Sequence, residues 1–179
     1  MKIYESRKKR ILFAIVLLFA LDIFDRLTKA LAQKILMGQD DAILIPGVLQ
    51  LHYLENRGAA FSMLQGQQWF FYVITVAFSA VIIYFLHRIA LTKRQFPLYV
   101  TLVFLLAGAL GNFYDRLFQG YVIDFIYFSL IDFPVFNVAD IYVTLSVIVL
   151  IVLVLFVYKG DELEHKSDDG GNSEGIPNK

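Results

Sequence analysis

The sequence contains no cysteine among its 179 residues. This absence excludes disulfide bonds, thiol nucleophiles, iron–sulfur clusters and cysteine zinc sites. Charged residues are also scarce, at 18% of the chain, whereas a soluble domain of this length carries more charge on its surface. Lysine plus arginine equals aspartate plus glutamate at 16 each, so the zero net charge points to no nucleic acid and no acidic partner.

Recognisable metal and nucleophile motifs are missing as well. His52, His87 and His165 are too scattered to form a metal site, and there is no HExxH segment. His52 is more simply a surface strand residue, and His87 an interfacial one. No serine lies in a nucleophile elbow, and nothing in the sequence brings Ser62 and Lys34 together as a Ser–Lys pair. We therefore expect neither a histidine metal site nor a serine nucleophile.

Hydrophobic residues are abundant, at 58% of the chain, and 16% of the residues are aromatic. A bilayer core needs about 20 apolar residues in a helix. Four stretches meet that length, at residues 11–32, 69–86, 98–118 and 138–158. The sequence therefore predicts a membrane all-α bundle of four transmembrane helices, formed by one domain over residues 1–158.

The distribution of lysine and arginine predicts the orientation of this bundle. Basic residues precede the first stretch at Arg7–Arg10 and lie between the second and third at Arg88 and Arg94, whereas the opposite side carries few. Both termini are therefore expected to be cytoplasmic. Residues 159–179 are polar and acidic, which predicts a disordered cytoplasmic tail.

The first stretch also resembles a cleavable signal peptide, because it has a basic leader and ends in Ala30-Leu31-Ala32. Asp22, Asp25, Arg26 and Lys29 interrupt it before any cleavage site, and signal peptides have uncharged cleavage regions. We interpret it as a retained first helix.

The segment between the first two stretches is long enough to form a structure of its own. Pro46-Gly47 is a turn signal, and apolar and polar residues alternate over Val48–Leu54. This pattern predicts a small extracytoplasmic β-sheet at the bilayer surface.

Polar residues cluster at what this topology makes one outer membrane boundary. The five clusters are Asp25–Lys29, Asn56–Phe61, Gly111–Arg116, Val122–Phe125 and Phe136–Asp140. Charge within a span is costly and is usually retained for a purpose. Convergence of the clusters at one depth predicts a site between the helices.

Each cluster also has a purely structural explanation. These explanations are an i, i+4 ion pair for Asp25 and Lys29, a capping box for Asn137 and Asp140, a helix end for Asp115 and Arg116, a hairpin turn for Asn56-Arg57-Gly58, and close helix packing for Gly108 and Gly111. Taken singly, each structural explanation is the better one.

Asp124 is harder to explain structurally, because it lies in the apolar run YVIDFIYF without an adjacent cation. Asp140, at the start of the fourth stretch, is its natural partner. Two carboxyl groups held close share one proton, so one can act as a general base on water while the other hydrogen-bonds a scissile carbonyl. The helix N-terminus favours charge on Asp140, and Asp124 is our candidate for the proton carrier.

The five clusters, in this order and spacing, resemble the lipoprotein signal peptidases, also called signal peptidase II. The segments DRLTK, NRGAAF, AGALGNFYDR, VIDF and FNVAD resemble the family motifs D-x-x-T-K, N-x-G-A-A-F, G-G-x-x-G-N-x-x-D-R, V-x-D-F and F-N-x-A-D. Ala107 departs from the pattern, since it stands where the first glycine of the pair is frequent, and Arg57 stands where small polar residues are.

The resemblance implies an aspartic endopeptidase of the bacterial cytoplasmic (inner) membrane that removes the signal peptide from diacylglyceryl-modified prolipoproteins, before the lipidated cysteine. Asp124 and Asp140 fall on the catalytic positions. The supporting positions fall on Asp25, Lys29, Asn56, Gly108, Asn112, Asp115, Arg116 and Asn137. The implied partners are the lipid-modified prolipoprotein and membrane lipid, without nucleic acid, metal or cofactor, and the expected state is a monomer with its active site at the outer face.

Two other functions remain open from the residues alone. A small transporter or channel would use the aspartates of an outer vestibule to bind cations. A non-catalytic assembly factor would bind membrane helices through the small sheet. Bond cleavage distinguishes both from a peptidase.

Overall fold

The computed structural model describes residues 7–58, 67–89 and 91–158. Its helices are α1 (Arg7–Leu36), α2 (Gln68–Arg88), α3 (Phe96–Gln119) and α4 (Val138–Val152), which continues as a π-helical segment over Leu153–Tyr158. The strands are β1 (Ala42–Ile45), β2 (Leu49–Asn56) and β3 (Val122–Tyr127), and a short 3-10 helix covers Ser129–Ile131. The predicted tail at 159–179 lies outside the described residues.

Three of the described helices are long and apolar enough to cross a membrane: Gln68–Arg88, Phe96–Gln119 and Val138–Tyr158. The prediction of a helical membrane bundle with a small sheet is confirmed to that extent. Helix α1 is the longest of the helices, at 30 residues. It carries Asp22, Asp25, Arg26 and Lys29 within its apolar sequence, so its composition differs from that of the other three.

Helix α3 is the central element of the bundle, because it packs against α1, α2 and α4. Its buried residues are correspondingly numerous and include Tyr99, Val103, Leu106 and Gly111. The outward faces of the other helices expose large apolar side chains such as Phe19, Val76 and Ile148. Such exposure is costly in water and suits helices whose outer faces meet lipid.

The contact between α3 and α4 depends on Gly108. A Cβ atom at that position would lie 2.8 Å from Val143 Cγ2 and would also overlap the Ala139 carbonyl oxygen. The absence of a side chain thus lets the two backbones approach closely. This approach fixes the beginning of α4 against the middle of α3.

The strands form an antiparallel sheet in the order β1-β2-β3. The alternation over Val48–Leu54 predicts most of β2, which extends two residues further. Strand β3 joins the same sheet, with Leu54 opposite Asp124 and Asn56 opposite Val122. The sheet therefore combines the segment before α2 with the segment that follows α3.

A tight connection leads from α3 into β3. Gly120 caps α3 with a φ of 79°, a left-handed conformation that glycine adopts without a Cβ penalty, and its N–H donates to the Arg116 carbonyl. Only Tyr121 separates this cap from β3. The end of α3 and Asp124 are consequently held close to each other.

Candidate active site

Residues from β2, α3, β3 and α4 converge on a cavity of about 400 Å³. Its polar lining consists of Asn56, Asn112, Arg116, Asp124, Asp140 and Thr144. An apolar wall is formed by residues 133–136 and by Ile141 and Leu145. The cavity thus combines two carboxyl groups with an apolar surface.

Asp124 lies in the buried part of β3 and is only 2% exposed. Its two oxygens accept hydrogen bonds from Asn137 Nδ2 at 2.6 Å and from Asn56 Nδ2 at 2.8 Å. Burial, reinforced by the charge of Asp140, raises the pKa of the Asp124 carboxyl from 3.8 to about 7. The proton is therefore retained on Asp124 to near-neutral pH.

Asp140 is the third helical residue of α4 and takes part in a capping box with Asn137. The Asn137 N–H donates to Asp140 Oδ2 at 3.0 Å, and the Asp140 N–H donates to Asn137 Oδ1 at 3.1 Å. Asn112 Nδ2 donates to the other carboxyl oxygen of Asp140 at 2.8 Å. The two hydrogen bonds to its carboxyl oxygens, together with the positive end of the helix dipole, stabilise negative charge on Asp140.

The fully buried Asn137 connects the two carboxyl groups. Its side-chain NH₂ group contacts Asp124 and donates to Asn112 Oδ1 at 3.1 Å, while its side-chain oxygen belongs to the capping box around Asp140. A single amide therefore fixes the orientation of both acids. The capping-box interpretation of the sequence is confirmed, and the same box forms part of the cavity.

Below the cavity lies a buried charge cluster built on Lys29. Its ammonium group is 2.8 Å from Asp25 Oδ2 and 2.7 Å from Asp115 Oδ2, and it donates to Asn112 Oδ1 at 2.9 Å. The i, i+4 ion pair of the sequence is thus present, but it continues through Asn112 toward Asp140. Charges this deeply buried are stable only when they are paired and hydrogen-bonded.

Asp25 also supports the start of α4 from a different helix. Its Oδ1 accepts a hydrogen bond from the Ala139 N–H at 2.9 Å. That amide belongs to the first turn of α4, where backbone N–H groups have no partner within the helix. A carboxylate of α1 therefore caps the helix that carries Asp140.

Arg116 closes the side of the cavity nearest β2. Its guanidinium donates to the carbonyl oxygens of Gly58, at 3.1 Å, and Asn112, at 3.3 Å, and lies 4.5 Å from the centroid of the Phe71 ring. Tyr72 Oη donates to the Arg116 carbonyl at 2.9 Å. Arg116 thus connects α3 with α2 and with the turn after β2.

The sequence-predicted residues therefore lie together, in one network. Asn56, Asn112, Arg116, Asp124 and Asp140 line the cavity, whereas the others support it from behind: Asp25, Lys29, Gly108, Asp115 and Asn137. The structure adds Gln68, whose Nε2 donates to the carbonyls of Arg57 and Gly120, and the apolar wall around Phe133. The signal available in the sequence for Gln68 was its position directly before the aromatic residues at the start of α2.

Comparison with known proteins identifies the family of this chain. The sequence model described as signal peptidase (SPase) II matches residues 15–156. The chain belongs to the signal peptidase II family. A curated relative named lipoprotein signal peptidase, from Streptococcus pyogenes serotype M5 (strain Manfredo), is 41% identical over 148 residues, which cover 82% of this chain and 93% of the relative. The protein of that name from serotype M3 (strain MGAS315) is 40% identical over the same length and coverage.

Two solved structures are similar to this family member over most of its length. The first is described as a bacterial membrane enzyme structure by the in meso method at 2.3 Å resolution. Its TM-score is 0.70 at 31% identity, and the similarity covers 93% of this chain and 94% of that chain. The second, under the same description at 1.9 Å resolution, has a TM-score of 0.69 at 34% identity and covers 80% and 93%. Family membership makes the chain a membrane peptidase.

Proposed function

We propose that the protein is an aspartic endopeptidase of the bacterial cytoplasmic membrane that removes signal peptides from diacylglyceryl-modified prolipoproteins, cutting immediately before the lipidated cysteine. The observation that carries this proposal is the joint placement of Asp124 and Asp140 in one cavity, connected through Asn137. The curated relatives are named for the same activity.

In the proposed reaction, the ionised Asp140 accepts a proton from a water molecule as that water attacks the scissile carbonyl carbon. Asp124 donates its proton to the carbonyl oxygen, giving a neutral tetrahedral diol. The amide nitrogen then takes a proton from Asp140, the C–N bond breaks, and the diol returns a proton to Asp124. Both acids finish in their starting states, and no other reactant is consumed. The raised pKa of Asp124 supports this assignment of the resting proton.

The site lies among helices rather than on a soluble domain, which suits a substrate anchored in lipid. Thr144 and Leu145 extend the cavity wall along α4, away from the carboxyl groups. The sheet adjoins the same cavity through Asn56. In the proposal, the sheet holds the peptide around the cleavage site while the apolar wall contacts the lipid-modified side.

The proposal treats α1 as a fourth membrane span. The four charged residues that interrupt its apolar sequence are paired within the protein, with Arg26 Nε 2.8 Å from Asp22 and Lys29 between Asp25 and Asp115. The remaining surface of α1 is apolar, as at Leu12, Val16 and Phe19. In this arrangement the protein acts as a monomer, both termini are cytoplasmic, and the dyad faces the outer side.

Isosteric amides in place of the two carboxyl groups test the dyad. The full-length protein is purified and incubated with a diacylglyceryl-modified prolipoprotein, and cleavage is followed by mass spectrometry. Asp124→Asn and Asp140→Asn should each lower kcat at least about 1,000-fold, because each removes one half of the proton cycle. Asp132→Asn is the matched control: Asp132 is exposed, and its φ of 49° is tolerated by asparagine.

Wild-type cleavage by either dyad variant would reject the aspartic mechanism. Cation flux without cleavage in the wild type would instead favour the transporter. Mass spectrometry of the products also locates the cut, and a product that does not begin with the lipidated cysteine contradicts the proposed cleavage site.

A further inference from the structure

A second cavity, of about 280 Å³, lies at the opposite end of the bundle from Asp124 and Asp140. Its floor is formed by α3 through Tyr99, Val103 and Leu106. One wall comes from α1, including Ala14 and Leu18, and the other from α2. The lining is almost entirely apolar, so we call this cavity the α1–α2 groove.

Basic side chains meet across the mouth of the α1–α2 groove. Arg7 of α1 lies over the imidazole of His87 of α2, with Nη2 at 2.8 Å from Nε2 and 3.1 Å from Nδ1. Both side chains are exposed. Arg10 donates to the Ile89 carbonyl, and Tyr99 Oη donates to the Arg10 carbonyl at 3.1 Å. The mouth is therefore a preformed bridge between two helices.

No carboxylate among the described residues pairs with this basic group. The described ion pairs all involve acids of the other half of the molecule or of the sheet, and along α1 the first acid is Asp22, about four helical turns from Arg7. An anion at the mouth would neutralise the charge of Arg7.

We propose that the α1–α2 groove binds one anionic phospholipid of the leaflet opposite the peptidase site. An acyl chain fills the groove along Ala14, Leu18 and Val103, and the phosphate accepts hydrogen bonds from Arg7 and His87. The charge of the mouth favours an anionic lipid such as phosphatidylglycerol over a zwitterionic one, whose own cation offsets its phosphate. This site is independent of the proposed peptidase mechanism, because it shares no residue with the first cavity.

The test is lipid binding by native mass spectrometry on the full-length, delipidated protein. Dioleoyl-phosphatidylglycerol and dioleoyl-phosphatidylcholine are titrated separately at equal ionic strength. We expect one phosphatidylglycerol to bind about tenfold more tightly than phosphatidylcholine. The double variant Arg7→Gln/His87→Gln should lose most of that preference, and Ala14→Phe, which fills the groove, should weaken both lipids.

Lys93→Gln is the matched control, because Lys93 is an exposed basic residue at the same end but lies outside the groove lining. It should leave the preference within about twofold of wild type. An equal loss in Lys93→Gln would indicate a diffuse electrostatic attraction and overturn the site. Unchanged binding in Ala14→Phe would show that the groove holds no acyl chain, which also overturns it.

Two further arms exclude other occupants. Inorganic phosphate that competes with phosphatidylglycerol at millimolar concentration would identify a headgroup site without a lipid. The full-length variant Asp161→Asn/Glu162→Gln/Glu164→Gln tests the chain's own acidic segment: a rise in lipid affinity would make that segment the occupant and reject the proposal. Retained prolipoprotein cleavage shows that each variant is folded.

Discussion

The two acids of the first cavity receive the same number of hydrogen bonds from different sources. Asp124 accepts from two side-chain amides, Asn56 and Asn137. Asp140 accepts from one side-chain amide and one backbone N–H at a helix start. The hydrogen-bond supply is therefore balanced, and burial in a strand rather than at a helix N-terminus distinguishes Asp124. That difference would let one carboxyl group hold the proton while the other stays ionised.

The raised pKa of Asp124 predicts a loss of activity near neutral pH. Above a pH of about 7 the group ionises, the pair becomes two carboxylates, and the proton for the scissile carbonyl is lost. The plot of kcat/KM against pH should therefore have a descending alkaline limb near 7. Asn56→Ala removes a donor that stabilises the ionised form, so its alkaline limb should move to higher pH.

The same shift affects stability in the same direction as activity. The folded pKa of about 7 lies above the usual value of 3.8, so the native state binds this proton more tightly than the unfolded chain does. The contribution of Asp124 to the free energy of unfolding should thus decline as pH rises from about 4 to 7. A wild-type plot of kcat/KM against pH without a descending limb near 7 would contradict the raised pKa of Asp124, on which the expected losses of activity and of stability both depend.

Lys29 should be essential to stability because it neutralises two buried carboxylates. Lys29→Met keeps the side-chain volume but leaves Asp25 and Asp115 unpaired, which should lower the free energy of unfolding by about 3–5 kcal/mol. The measurement is unfolding by denaturing detergent in mixed micelles. Arg26→Met on the same helix is the control, since its partly exposed pair with Asp22 should cost no more than about 1 kcal/mol.

A second substitution separates charge from packing at Lys29. Adding Asp115→Asn to Lys29→Met removes one of the two stranded charges, so the double variant should be more stable than Lys29→Met alone. Equal or lower stability of the double variant would show that Lys29 contributes through packing and not through charge.

The sequence predicted these residues from local spacing and from the resemblance to a known family. Local spacing alone identified the Asp25–Lys29 pair and the capping box of Asn137 and Asp140, because both are short-range features of helices. It could not predict that Lys29 reaches Asn112, since that contact depends on how α1 packs against α3. The contacts that join these polar residues into one network therefore became visible only in the folded structure.

At the level of elements, α4 is docked by features of two other helices. Gly108 of α3 permits close backbone contact, and Asp25 of α1 caps the Ala139 N–H. The space around Gly111 is also crowded, because a Cβ there would lie 3.0 Å from Asp25 Oδ2. Small residues on α3 thus allow the first turn of α4 to pack close to α3.

Gly108→Ala should move or destabilise α4. The added methyl group would overlap backbone atoms of α4 that cannot yield, at a cost of about 1–3 kcal/mol, and the shift of Asp140 should lower kcat. Gly111→Ala should be milder, because its closest contact is a side-chain oxygen. Cleavage rate and detergent stability are measured for both variants. Wild-type behaviour of Gly108→Ala would contradict this account of the helix contact.

The sequence predicted only part of the sheet. Strand β2 was predictable because it faces the rest of the protein on one side, which gives its sequence an alternating pattern, and because a turn signal precedes the strand. The pairing of β2 with β3 joins segments separated by two helices, and nothing in the local pattern of YVIDFIYF distinguishes a strand from a buried helix. This pairing is what brings Asn56 to Asp124.

At the level of the whole molecule, the proposed crossing of the bilayer by α1 can be tested by cysteine labelling. The chain has no cysteine, so single-cysteine variants can be labelled without other changes. If α1 spans, an impermeant maleimide should label Asp41→Cys in intact spheroplasts but should label Lys9→Cys only after permeabilisation. Lys93→Cys should behave like Lys9→Cys. Labelling of Lys9→Cys and Asp41→Cys on the same side would show that α1 does not cross.

Hydropathy predicted the three helices that are long and apolar enough to cross a membrane, because length and composition alone decide them. For α1 they do not, since four charged residues interrupt it, and those charges are accommodated only by partners on the same helix, on α3 and on α4. If α1 spans the membrane, as proposed, its insertion depends on assembly of the bundle. The boundaries of the single domain at 1–158 stay a prediction.

The carboxyl groups and their supporting side chains come from α1, β2, α3, β3 and α4, and α4 begins only after every other element has been synthesised. No shorter nascent fragment contains the complete set. If these carboxyl groups catalyse cleavage, as proposed, a ribosome-bound intermediate is inert toward lipoproteins, and hydrolysis begins only when the last helix docks. Under the proposal, the order of the chain then provides a form of quality control, because a protein that has failed to assemble cannot cut.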